Sequence, residues 1–529
     1  MILRYFSQDF VLILIRETNN SMKKKCLILF LFILVKFILQ YSIINPEYEL
    51  HRDEYLHLDQ GNHLAWGYLS VPPVNSWLAF IVKIFGNSVF WVKFFPALFG
   101  ALTLVVVWKI VEELKGGLFA QILASTGILF SVLLRLNMLF QPTSLEVLLW
   151  TMLYYALIKY FKTEKVKWIY IAAVIFGIGF LNKYNIAFSV LGLIPAMLVT
   201  KQRGIFLQKH LYLAGLLALL IILPNILWQY HNNFPVILHM KQLSERQLVN
   251  VDRFDFVKSQ ILFFFGVVFV IIAGLYALIF YKPFEKIRFL FWAYVFTMAL
   301  FLFFRAKDYY AIGLYPAYIA VGSVFMGQLF DKGWTKSVLR PVSILIPVLL
   351  FLPLYNFAFP NKSPQYILDH PENYKKFGLL RWEDGKDHSL PQDFADMQGW
   401  RELAQKVDDE YLQLSKSGKT LVLCDNYGQA GAINYYSKQK IKAVAFNADY
   451  LNWFDLSEKY SNLIRVKDSG QGKNELGETG ALFEKSIIAD SITNPFAREK
   501  GALIFSFKNA KIDIRKRIKD EINKEKNDD

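Results

Sequence analysis

The chain reads as a mainly α-helical, polytopic membrane protein of about 11 transmembrane helices, with a C-terminal extracytoplasmic α/β domain. Three observations predict this class. Of 529 residues, 54% are hydrophobic and 16% aromatic, more apolar material than the cores of a soluble protein this size require. Apolar runs of roughly 17–25 residues recur, each long enough to cross the hydrocarbon core of a bilayer as a helix. The connections between them alternate between lysine-rich and lysine-poor, as the positive-inside tendency requires.

Taken in order, residues 1–21 hold a short apolar stretch interrupted by Arg4, Asp9 and Arg16, too broken to span. They read as a non-native extension ahead of Met22, where Lys23, Lys24 and Lys25 precede the run 26–44 as a signal anchor does. Further spans are expected at 89–111, 118–136, 144–161, 168–182, 185–200, 211–228, 257–281, 288–304, 311–329 and 340–357. Every second connection is basic: Lys109/Lys115, Lys159/Lys162/Lys165/Lys167, Lys201/Arg203/Lys209, Lys282/Lys286/Arg288 and Lys332/Lys336/Arg340. These are expected in the cytoplasm with the N-terminus. Residues 45–88, 135–143, 182–185, 229–256 and 305–310 then face outward, in a cytoplasmic (inner) membrane. A transmembrane unit is thus expected over 22–357.

Polarity rises after the last span. Residues 358–511 carry β-rich runs at 420–424 and 443–446 and an amphipathic stretch at 400–414, which together predict a small α/β domain. Residues 512–529 form a charged tail, in which 515–529, nearly all charged, read as a solvated helix end or tail.

Several function classes are excluded. A formal charge of +15 invites a nucleic-acid reading, but the basic residues fall in short clusters between apolar runs and form no single stripe. Two cysteines, Cys26 and Cys424, supply neither a disulfide framework nor a cysteine metal site. Residues 417–420 (SGKT) imitate the end of a phosphate-binding loop, but the earlier glycine is Gln413 here and the strand follows the motif where it should precede it. No repeat of solenoid length and no matched pair of broken helices appears.

Chemistry concentrates in the first outward loop, residues 45–88. Asp53 and Glu54 stand side by side near a membrane face, where a carboxylate can take the proton of an incoming hydroxyl. The other reading of the same residues is a cap on a short helix. His51, His57 and His63 fit no familiar zinc spacing and read as loop histidines; no metal is assigned. Lys183, Arg305 and Lys307 are cations at the outward rim, where few are expected, and Arg135 shares the position. They either meet a lipid phosphate or snorkel without selectivity.

Four stretches carry a resemblance that covers nearly the whole chain from Met22: residues 52–55 (RDEY) with 61–68 (GNHLAWGY) and Pro72–Pro73; 140–146 (FQPTSLE) ending in Trp150; 177–183 (GIGFLNK); and 307–310 (KDYY) with Tyr315 and Pro316. The later stretches 390–396, Gly399–Trp400, 426–432 (NYGQAGA) and 494–498 (NPFAR) extend it. In this order they resemble the bacterial GT-C glycosyltransferases similar to dolichyl-phosphate-mannose protein mannosyltransferases and aminoarabinose lipid A transferases, glycosyltransferase family 39-like.

The resemblance implies a membrane glycosyltransferase, hexosyl or pentosyl, acting on a polyprenyl-phosphate sugar donor and inverting at the anomeric carbon. Asp53 matches the catalytic carboxylate of the family and Glu54 its companion. Lys183, Lys307, Tyr310 and Arg305 match its lipid-phosphate and donor-binding positions, while His57, His63 and Tyr68 would position the acceptor or the loop. Some relatives place an acid in the connection after the third span, where this chain has Gln141-Pro142-Thr143, so a second carboxylate is not expected there. The expected partners are the lipid-linked donor, a glycan, lipid or protein acceptor, and membrane lipids, with no nucleic acid and no required cofactor. A lipid-linked sugar flippase without transfer chemistry is the alternative; it would line a path through the spans with charge.

Overall fold

The structure is a computed structural model describing residues 20–246, 251–470 and 472–528. The expected extension 1–21 lies outside these residues except for Asn20 and Ser21, which open the first helix, Asn20–Ser42. Most apolar runs of the sequence are helical close to their expected bounds: Val89–Glu113, Pro142–Thr163, Lys167–Asn182, Ile186–Leu198, Lys209–His231, Phe289–Phe303, Tyr315–Leu329 and Arg340–Tyr355; the expected span 118–136 instead breaks into Leu118–Leu129 and the short helix Leu133–Leu136. The expected span 257–281 departs from a straight rod. Arg253–Phe263 and Phe265–Phe280 meet at 66°. Five of the described helices are long and apolar enough to cross a membrane alone, and up to seven if each bent pair counts as one span; four apolar helices are shorter. The chain is a multi-pass membrane protein.

Two features lock the bundle. Gly274 and Gly322 let Val268–Phe280 and Tyr315–Leu329 touch backbone to backbone, since a Cβ on Gly322 would fall onto the Val270 carbonyl and one on Gly274 within 2.7 Å of the Tyr318 carbonyl. Small residues drive helix association in lipid by permitting such approach. In the first span, buried Lys36 donates to Gln40 (2.7 Å) and Asn137 (2.8 Å), tying that helix to the segment beneath residues 137–141.

The alternating connections separate into two ends. At one, Lys159 pairs with Glu113 (2.6 Å), Lys286 with Glu164 (3.1 Å) and Lys201 with Glu285 (2.5 Å), so the basic connections gather together. At the other end the lysine-poor connections meet one another and the C-terminal domain.

That domain holds a five-stranded sheet: β1 (Thr420–Cys424), β2 (Val444–Ala445), β3 (Asn462–Lys467), β4 (Phe483–Ser491) and β5 (Leu503–Ala510), in the order β2-β1-β3-β5-β4. The first three strands run parallel and the last two antiparallel to their neighbours. The amphipathic stretch 400–414 is the helix Trp400–Leu414.

Two expectations are corrected. The charged segment after residue 511 takes the helical one of its two expected forms, Ile514–Asp528, but is not solvated all round: Ile514, Ile518 and Ile522, four residues apart, are buried against Phe505 and Phe507, and the charges occupy its outer face. The boundary at 357 also divides what the fold joins. Leu50, Tyr55, Leu56 and Leu58 of the first loop share one hydrophobic core with Trp400, Val407, Ile433 and Ile464 of the C-terminal domain.

Candidate active site

The loop 45–88 owes its order to the helix Arg52–Gln60. His51 is the N-cap, its Nδ1 accepting from the Asp53 N–H at 3.2 Å, while the Glu54 carboxylate returns to the His51 N–H at 2.8 Å, a capping box with histidine in the cap position. This geometry turns the two adjacent acids in opposite directions.

Glu54 points inward and is fully buried. Its oxygens accept from Lys93 Nζ at 2.6 and 2.7 Å, from the Phe140 N–H at 2.7 Å and from the His51 N–H. The expected companion of the catalytic carboxylate is therefore corrected to a structural anchor, with no acceptor position left for a substrate.

Asp53 points the other way, and its side chain is 36% exposed. Oδ1 accepts from the Tyr427 hydroxyl (2.7 Å) and Oδ2 from the Gln141 amide (3.0 Å). Burial pushes its carboxyl up, but the neighbouring His51, the Tyr427 hydrogen bond and Arg52 outweigh that and hold it below the ordinary carboxylate value. Asp53 is an ionised carboxylate at neutral pH.

Behind Gln141 the connections interlock. Asn182 donates to the Pro142 carbonyl (2.9 Å) and Asn185 to the Tyr310 carbonyl (3.0 Å), bringing residues 141–143, 182–185 and 305–310 to one place. Lys183 lies there, 4.9 and 5.0 Å from the ring centres of Tyr310 and Tyr309. It is no free rim cation, for its Nζ pairs with the buried Glu146 at 2.8 Å. Lys307 faces the same space: burial pushes its ammonium down, the carboxylates of Glu383 and Asp53 pull it up, Lys183 pushes it down, and the net is downward. Arg305 begins this turn with a backbone φ of +49° and is partly buried. Arg135 is committed to the C-terminal domain through Asp393 (2.6 Å) and the Ala358 carbonyl.

The remaining loop residues hold the loop itself. His57 is buried on Gln60 (2.9 Å), whose amide reaches Asp449 (2.8 Å). Tyr68 donates to the carbonyls of Gln60 and His63 (3.0 Å each), and His63 stacks on Trp453 at 4.3 Å. Of the two roles expected for His57 and Tyr68, these contacts match loop positioning, because both side chains are spent inside the fold.

Among the described residues one group has metal-type geometry: His51, Asp393 and Asp396 bring ligand atoms within 4.8 Å of one another. Asp393 already pairs with Arg135, and Asp396 with Arg498 at 3.2 Å.

Sequence reasoning assigned no role to Lys93, Gln141, Glu146 or Tyr427. Lys93 and Glu146 carried a usable signal, since an ionisable residue inside an apolar run demands a partner. Tyr427 carried none; only the fold brings residue 427 to residue 53.

The family model for dolichyl-phosphate-mannose-protein mannosyltransferase matches residues 70–228. That stretch includes Lys93, Gln141, Glu146 and Lys183 and stops short of Asp53 and Lys307. The fold is similar to that of ArnT from Cupriavidus metallidurans bound to undecaprenyl phosphate, with a TM-score of 0.60 at 14% identity over 90% of this chain and 97% of that one. Against the apo state of ArnT the TM-score is 0.58 at 13% identity, with the same coverage. No curated protein sequence matches the chain. Over residues 70–228 the chain is thus similar to that mannosyltransferase family, and its helical bundle is similar in fold to ArnT.

Proposed function

We propose that this protein transfers a hexose or pentose from a polyprenyl-phosphate carrier to an acceptor hydroxyl, inverting the anomeric carbon, at the extracytoplasmic face of the cytoplasmic membrane. The observation that carries the reading is the meeting of an ionised, part-exposed Asp53 with Lys307 and Lys183 where three connections converge at one rim of the bundle. The similar ArnT fold is described with undecaprenyl phosphate bound, which supports a polyprenyl-phosphate ligand here.

In this reading the acceptor oxygen attacks the anomeric carbon as its proton passes to Asp53. The bond from that carbon to the phosphate oxygen breaks, and the leaving polyprenyl phosphate gains a second negative charge. A carboxylate held below its ordinary pKa is a weak base, so proton transfer is late and accompanies bond formation. The developing phosphate charge is met by Lys307, with Arg305, Tyr310 and the Lys183 ammonium around it; oriented cations in a water-poor site stabilise such a leaving group without a general acid. Lys183 contributes less than its formal charge because Glu146 already faces it. Glu54 serves only to hold the helix that aims Asp53.

The test is transfer and donor hydrolysis by purified protein on a panel of undecaprenyl-phosphate hexoses and pentoses, read by mass spectrometry. Asp53→Asn is expected to lower turnover about 10²–10⁴-fold, the usual contribution of a positioned base, with donor binding retained. Undiminished turnover in that variant removes the base, and a wild-type protein that moves the donor across a bilayer without cleaving it removes the transferase reading.

A further inference from the structure

A cavity of about 350 Å³ lies between the N-terminus of the helix Arg52–Gln60 and the C-terminal domain, at the small end of the range of ligand sites. It adjoins the proposed reaction centre on two sides. Arg52, on one wall, places its guanidinium 4.6 Å over the ring of Tyr427, whose hydroxyl holds Asp53. Glu383, on another wall, is the strongest negative neighbour of Lys307.

The cavity's donors and acceptors are incompletely spent. Arg52 Nε is buried with no hydrogen-bond partner, and among the described residues no carboxylate closes an ion pair on that guanidinium. Across from it, Gln429 donates to Asp468 Oδ1 and Glu499 Oε2 at 2.7 Å each, and Asn426 donates to the same two carboxyls, which leaves Asp468 Oδ2 without a partner among the described residues. Trp382 is a fixed wall, its ring stacked on His388 at 3.7 Å and its Nε1 donating to the Leu390 carbonyl.

Charge decides the class of ligand. Glu383, Asp384, Asp468 and Glu499 face the cavity against Arg52, Arg498 and His388; Arg498 is already paired with Asp396 and Asp384 with His388, which leaves three carboxyls facing Arg52. A phosphate or other anion would meet net repulsion there. A neutral polyol suits both halves, for its hydroxyls accept from Arg52 and donate to Asp468, beside which burial pushes the Glu499 carboxyl up.

We infer that this cavity is the acceptor subsite and takes the neutral, hydroxyl-rich end of a glycan, held between the Arg52 guanidinium and the Asp468–Glu499 pair. The inference rests on reading Asp53 as the base, because only then does a hydroxyl bound here have a reaction to enter.

Saturation-transfer NMR on the full-length protein in nanodiscs tests it, with methyl β-D-glucopyranoside, methyl α-D-mannopyranoside and methyl N-acetyl-β-D-glucosaminide as probes, and glucose 6-phosphate and inorganic phosphate as anionic rivals. At least one neutral glycoside is expected to bind, about tenfold more weakly in Arg52→Ala and Asp468→Asn, with Arg52→Lys in between. Thermal melting of each variant separates lost binding from lost folding. Absence of binding by all three glycosides, tighter binding of either anion, or full binding in folded Arg52→Ala and Asp468→Asn overturns the subsite. Turnover of Asp53→Asn judges the base separately, since glycoside binding to the wild type is read without any reaction.

Discussion

Asp53 and Glu54 show how one peptide bond separates an open carboxylate from a sealed one. Glu54, sealed against Lys93, has no room for substrate, whereas Asp53 is held from both sides by Tyr427 and Gln141 and still opens to solvent. The two lysines behind them differ in the same way. Lys307→Gln is expected to lower kcat with little change in melting temperature. Lys183→Gln is expected to destabilise the fold by about 3–5 kcal/mol, because it strands the buried Glu146, and adding Glu146→Gln should restore most of that loss. Thermal melting of the single and double variants, set beside their turnover, checks both statements; equal melting for Lys183→Gln and wild type would show that the pair carries no structural role.

The helix Arg52–Gln60 is aimed by its neighbour Tyr427–Tyr436, and Gly431 sets how closely they approach. A Cβ there would stand 2.7 Å from the Tyr55 Cβ and 2.7 Å from the Tyr450 hydroxyl, closer than real Cβ contacts come. Gly431→Ala is therefore expected to push the two helices apart, loosen the Tyr427–Asp53 hydrogen bond and lower kcat at least tenfold while donor binding persists. Kinetics with the donor panel, compared with Ala432→Gly on the same helix as a packing control, reads this effect. Little change in Gly431→Ala would mean the contact yields elsewhere.

The same contacts join the membrane bundle and the C-terminal domain into one structure, and one of them is pH-sensitive. Burial pushes the Asp449 carboxyl up to about 6, against hydrogen bonds from the Leu69 N–H and the Gln60 amide. The folded protein then binds more protons than the unfolded chain between roughly pH 4 and pH 6, so stability falls as pH rises through that window and levels off above it. The loss amounts to about 3 kcal/mol at most. Wild type should lose melting temperature relative to Asp449→Asn on going from pH 4 to pH 7; a constant gap would assign the group an ordinary pKa. The two ends of the bundle make a separate prediction about topology. With Cys26 and Cys424 replaced, a cysteine at exposed position His63 should react with an impermeant thiol reagent from outside whole cells, and one at Lys201 only after lysis.

Much of this molecule could be read before its structure. Apolar length and charge alternation are local in sequence, so the helices and the two ends of the bundle follow from runs of neighbouring residues. The same locality misled at residues 512–529, where composition outweighed the spacing of Ile514, Ile518 and Ile522. Partnership is not local. Glu54 with Lys93, Glu146 with Lys183, and Tyr427 with Asp53 join residues 37 to 374 positions apart, and no pattern within one segment encodes such a distance. Which of two adjacent acids faces solvent, and which cations are already neutralised, was settled only when tertiary packing chose what each buried charge would meet.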